Sequence, residues 1–255
     1  MDCIPLQEEF LMHRFYADPV RSDGGTACLT PEDARHALTV LRLKTGDHIE
    51  IILDGCRSEA EIVRGDSRVV SARILSALPS TEPRLSVTLF QGLPKADKMD
   101  LIVQKSTELG VSRIVPVLMN RCVTRPDPKD LDRKLERWRK IAREAGKQSG
   151  RCLVTEISAP VRLDRIPESV TLPAENIVPW EEASGFGPLA FRESHPDLSS
   201  LGILIGPEGG IEKEEVMTLQ AAGFIPVTLG KRILRTETAG LAAVSAFMSL
   251  YGEME

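Results

Sequence analysis

No stretch of the chain approaches the roughly 20 uninterrupted apolar residues that a bilayer span needs, which argues against a membrane protein. The segment Met1–Glu9 has neither a basic start nor a long apolar core, so no secretory leader is expected. Cysteine is sparse and unorganised: Cys3, Cys28, Cys56, Cys122 and Cys152 form no closely spaced pair. Zinc sites and disulfide frameworks need such pairs, so scattered thiols in a reducing cytoplasm are the expectation. His13, His36, His48 and His195 are equally dispersed, and no metal site is expected.

Two nucleotide and hydrolase signatures are missing as well. The sequence holds no Gly-x-x-x-x-Gly-Lys-Ser/Thr loop and no Gly-x-Ser-x-Gly elbow. One Gly-x-Gly-x-x-Ala match runs from Gly185 to Ala190. It follows Trp180–Ser184, which does not read as a strand, and Pro188 stands where the helix should begin. A dinucleotide site needs the strand–turn–helix context, so a nucleotide-dependent oxidoreductase is disfavoured.

What is present is an ordinary globular balance: 255 residues, 42% hydrophobic and 27% charged. That length suits one or two domains. The net charge of −5 hides an uneven distribution. Residues 1–80 carry 9 basic and 13 acidic side chains, and residues 152–255 carry 7 and 15. Residues 81–151 carry 16 and 9, a local excess of +7. A basic segment of this kind can steer an anionic partner although the whole chain is acidic; a solvated helix face is the plainer alternative.

The first 80 residues read as β-rich. Ile49–Leu53 lies between a Gly46-Asp47 turn and an Asp54-Gly55 turn, a hairpin signal. Strands are expected at Glu59–Val63 and Arg68–Leu75, and one helix is expected behind a Thr30 cap with Pro31 in its first turn. Ala77–Pro83 reads as a linker, which places a domain boundary near residue 80. From residue 85 strands alternate with helices. Strands are expected at Leu85–Phe90, Val111–Val117, Ile177–Pro179, Leu201–Ile205 and Val227–Leu229. Helices are expected at Lys95–Leu109, Lys129–Lys147, Glu212–Ala222 and Glu237–Tyr251. The alternation predicts βαβ units and a parallel sheet, hence an α/β fold.

Two loops between a strand and a helix are candidates for chemistry. Gly206-Pro207-Glu208-Gly209-Gly210 lets backbone approach a ligand closely. Leu229–Ala239 groups charged residues around Ile233 and Leu234. Both leave strand ends, where α/β sheets bind ligands. Each has a plainer reading, as a turn and as surface charge.

The residues resemble the bacterial 16S ribosomal RNA (uracil-N3)-methyltransferase family of the SPOUT class. The matching segments are His13–Tyr16, His36–Asp47, Gln104–Val111, Glu144–Arg151, Leu204–Gly210 and Leu229–Ala239. They span nearly the whole chain in the family's order. Two departures stand out: Cys122 replaces the Ser expected in an Arg-Ser-Val run, and Lys147 interrupts the helix before Gln148.

The resemblance implies a small PUA-like β-barrel domain over residues 1–80 that holds RNA. It also implies a trefoil-knotted SPOUT methyltransferase domain with a mainly parallel sheet over residues 81–255, working as a cytoplasmic homodimer. The implied cofactor is S-adenosyl-L-methionine, held by Leu204, Gly206, Glu208, Gly209, Gly210, Leu229, Gly230, Ile233, Leu234 and Thr238. Arg235 and Glu237 are the candidates for catalysis. Arg14, Arg42, Arg137, Arg139, Arg143, Gln148 and Arg151 are the candidates for contact with 16S rRNA on the assembled small ribosomal subunit. A non-catalytic RNA-binding protein of the same fold is the competing reading, and two intact glycine loops argue against it.

Overall fold

A computed structural model describes residues 12–23, 25–66, 69–123 and 127–254, apart from the side chain of Pro128. Residues 1–9, with Cys3, and Arg68 at the start of an expected strand lie outside the described residues. The chain divides into two compact units, Met1–Thr81 and Glu82–Glu255.

The first unit holds β1 (Arg14–Tyr16), β2 (Thr26–Cys28), β3 (His48–Leu53), β4 (Cys56–Asp66) and β5 (Val69–Leu78). They form one sheet in the order β1-β3-β4-β5-β2, parallel only between β1 and β3. A bridge between Ala17 and Leu29 joins the ends of the two edge strands, so the sheet curls closed on itself. The β3–β4 hairpin turns on Asp54 and Gly55, whose φ values of 49° and 79° are both positive, as a type I′ turn requires. Inward-facing Phe15, Ile49, Ile51, Ile62 and Val70 fill the interior. Thr30 accepts the Asp33 amide at 3.3 Å and caps α1 (Pro31–Arg35), which continues as a wider π turn over His36–Val40. β1 and β2 are too short to be read from pattern. β5 runs on to Leu78, so two residues of the expected linker are strand.

The second unit contains β6 (Ser86–Gly92), β7 (Arg113–Leu118), β8 (Glu156–Ile157), β9 (Val161–Arg162), β10 (Glu175–Pro179), β11 (Ser200–Ile205) and β12 (Phe224–Val227). Their order is β12-β10-β11-β6-β7-β8, with β9 also on β7, and every pairing is parallel. The helices are α2 (Lys98–Glu108), α3 (Pro128–Ser149), α4 (Ile166–Ser169), α5 (Pro188–Ser194), α6 (Lys213–Ala221) and α7 (Thr236–Leu250). Central strands β6 and β11 are buried on both faces, which explains the apolar run Leu201–Ile205 of β11.

Two expectations change here. α5 begins at Pro188, a residue suited to a first helical turn because its missing N–H needs no partner there. The last strand ends at Val227, which leaves Thr228 and Leu229 in the following loop.

Candidate active site

β12, β10 and β11 are neighbours in the sheet and run the same way, so the loops leaving their carboxyl ends emerge together. The three loops enclose a cavity of about 500 Å³. Gly206, Gly210 and Ile211 form one wall, and Leu229, Gly230, Ile233 and Leu234 a second. The third wall, Trp180 to Gly185 after β10, carries Glu181, the one carboxylate in the lining among the described residues. Sequence reading missed this wall because nothing in local periodicity places β10 between β11 and β12.

The other residues expected at the cofactor do not line the cavity. Leu204 is fully buried in the core, and strand alternation gives the lining to its neighbour Ile205. Thr238 points to solvent, whereas Thr236 and Ala239 line the cavity. Gly209 serves a different neighbour. A Cβ there would lie 2.8 Å from that of Arg121, whose Nη1 donates to the Gly209 carbonyl at 2.9 Å. Gly210 has φ of +76°, a backbone region that side chains rarely adopt.

Glu208 and Glu237 share one cation. Lys98 Nζ lies 3.1 Å from a carboxylate oxygen of each, and Glu208 Oε1 also accepts the Lys95 amide at 3.0 Å. Burial pushes the Glu208 carboxyl up, but backbone amides and Lys98 outweigh it and hold the group below the usual range. Glu237 is lowered by its own backbone amide and by Lys98. The two carboxylates raise the Lys98 ammonium, Glu237 most strongly. Carboxylates held in this way are weak proton acceptors. Arg235 is exposed, caps α7 through its backbone, and its guanidinium has no ion pair or hydrogen bond among the described residues.

Residues 81–248 match a family described as the RNA methyltransferase domain. The chain is 34% identical to ribosomal RNA small subunit methyltransferase E of Bacillus subtilis, across 92% of this chain and 95% of that protein. The chain belongs to this family. A crystal structure of a ribosomal RNA small subunit methyltransferase E from Neisseria gonorrhoeae, bound to S-adenosyl methionine, is 35% identical. It superposes with a TM-score of 0.80 over 96% of this chain and 100% of that one. A Legionella pneumophila methyltransferase structure in complex with the same cofactor is 31% identical, also with a TM-score of 0.80, over 93% of this chain and 97% of that one.

An RNA methyltransferase needs basic side chains free to meet phosphate. Three of those expected in this role are occupied elsewhere. Arg14 and Arg57 both hydrogen-bond the buried carboxylate of Glu50. Arg151 is 3% exposed; it binds Glu82 at 2.7 Å and donates to the carbonyls of Thr107 and Val111. Arg137 pairs with Asp100, which also accepts the Trp138 indole N–H. Arg42, Arg139 and Gln148 remain exposed, and Arg139 and half-buried Arg143 line a groove beside residues 154–159. Arg42 has a φ of +57°, unusual for arginine.

Proposed function

We propose that this RNA methyltransferase uses S-adenosyl-L-methionine to methylate N3 of a uridine in 16S rRNA. The reading further takes the enzyme as a cytoplasmic homodimer that acts on the assembled small ribosomal subunit. The observation that carries the reading is the convergence of three strand-end loops on one cavity in a chain of this family. The lining fits the cofactor's chemistry: Ile205, Ile211 and Leu234 offer apolar faces for adenine, glycine backbone offers polar groups at close range, and Glu181 suits a hydroxyl or ammonium. The closed amino-terminal sheet supports a PUA-like RNA-holding domain. The all-parallel sheet, with the start of α7 fastened to the glycine loop, supports a SPOUT knot.

The cofactor supplies an electrophilic methyl group. The N3 of uracil carries a proton and is a poor nucleophile until that proton leaves. Glu208 and Glu237 are weak candidates for taking it, because Lys98 stabilises both as carboxylates. Arg235 suits the complementary task. Its permanent charge and five donors stand beside the cavity wall at Leu234, available to a uracil carbonyl as negative charge develops. The proton then passes to water.

Calorimetry with S-adenosylmethionine, followed by mass spectrometry of small-subunit RNA for 3-methyluridine, tests the reading. Binding and a single new methyl group at N3 are expected. A folded protein that binds no cofactor, or a methyl group on another atom, overturns it.

A further inference from the structure

We propose that Gln91 and Lys98, neither of which lines the cavity, are positioning residues that hold two of its walls in register. The proposal rests on the cofactor reading of that cavity. Gln91 lies near the end of β6, opposite Ile205 of β11, and is fully buried. Its Nε2 donates at 2.9 Å to the hydroxyl of Thr236, and that hydroxyl donates at 2.7 Å to the carbonyl of Gly206. One buried relay thus ties the first residue of α7 to the first residue of the glycine loop. Gln91 Oε1 accepts nothing among the described residues. An apolar side chain would fill this place without stranding a polar atom, so the amide is there for its donors.

Lys98 makes the same connection from the other side. It joins Glu208 of the glycine loop to Glu237 of α7 and lies at the start of α2, seven residues beyond Gln91. Two routes from neighbouring stretches of chain therefore fasten the same two loops. One is buried and the other half-exposed. Both loops contribute cavity wall, so a shift of either changes the shape that the cofactor meets.

Thr236→Val keeps the side-chain shape and removes the relay's hydroxyl, whereas Thr236→Ser keeps the hydroxyl. Hydrogen exchange of the unliganded protein reads the coupling directly. Thr236→Val and Gln91→Met should each speed exchange at 206–211 and at 235–240 together, with other segments unchanged. Each should also weaken S-adenosylmethionine binding about tenfold, within the range by which distant positions modulate a site. The double variant should be no worse than Thr236→Val alone, because Thr236→Val already removes both bonds of the relay. Thr236→Ser should behave as wild type. Lys98→Met, on the half-exposed route, should act on the same two segments and add to Thr236→Val. It keeps the test open should burial make Thr236→Val unfold. Unchanged exchange in the folded variants, or change in one loop alone, overturns the proposal. A wild-type protein that binds no cofactor overturns the cofactor reading instead, and the exchange comparison still decides the coupling.

Discussion

Arg235 and Glu237 are two residues apart, yet their surroundings give them different chemistry. Glu237 is held by Lys98, while Arg235 has no partner to orient it among the described residues. The structure therefore contains no ion pair between them. Arg235→Ala should lower single-turnover methylation at saturating cofactor on the order of a hundredfold, as for a lost oxyanion donor. Cofactor affinity and Tm should stay near wild type. Near-normal turnover would end the catalytic role. Glu50 offers a second test. Burial works against its charge, but Arg57 and Arg14 hold its carboxyl below the usual range. A lowered carboxylate contributes stability that is present above its unfolded pKa and disappears as pH falls through the folded one. Glu50→Gln should cost about 2 kcal/mol at neutral pH, below the figure for a fully buried pair because both guanidiniums keep about a fifth of their surface in water. The gap between variant and wild type should close on acidification; a constant gap in melts from about pH 7 to about pH 3 would refute the assignment. Arg14 and Arg151 resemble RNA contacts in the sequence because residue type says nothing of burial. Their partners, Glu50 and Glu82, lie 36 and 69 residues away.

At the scale of elements, α3 shows what sequence reveals and what it conceals. Its span and basic character are plain in the sequence, whereas its cap, Asp127 accepting the Asp130 amide at 2.8 Å, is not. Nor are the arginines that face a partner, because Asp97 and Asp100 approach Arg137 from the preceding helical segment. The same logic separates the glycine loops, whose residues announce close backbone approach, from the third wall after β10, which depends on strand order. Gly209 carries both lessons: a Cβ there would meet Arg121, a neighbour that sequence position does not reveal. Arg137 and Arg139 of α3 therefore differ in role. Arg139→Glu should weaken RNA binding and lower the slope of log affinity against log salt by about 1, as for one phosphate no longer neutralised. Arg137→Glu should instead cost about 0.5–1 kcal/mol of stability, as an exposed pair does, with the salt slope unchanged. Filter binding across a salt series and thermal melts separate the two outcomes. An unchanged slope in the Arg139 variant would leave the groove beside residues 154–159 a solvated face.

Across the whole molecule, charge is sorted rather than balanced. Residues 81–151 carry the basic excess, and both flanking stretches are acidic. Within that stretch Arg137 pairs with Asp100 and Arg151 with Glu82, pairs already counted in the excess, which therefore falls on its other cations. A chain of net charge −5 is repelled by nucleic acid in most orientations and attracted only where its exposed cations face phosphate. Such a molecule suits a target that fixes many phosphates in one geometry, as a folded and protein-bound RNA does, better than a flexible strand whose phosphates must first be ordered. Methylation of assembled small subunits should therefore be faster than that of naked 16S RNA at physiological salt. The difference should narrow as salt is lowered, because weak contacts to the flexible strand then strengthen. Initial rates on both substrates across a salt series measure this. Equal rates on both at every salt concentration would mean that local sequence around the uridine, and not the assembled surface, is what the enzyme reads.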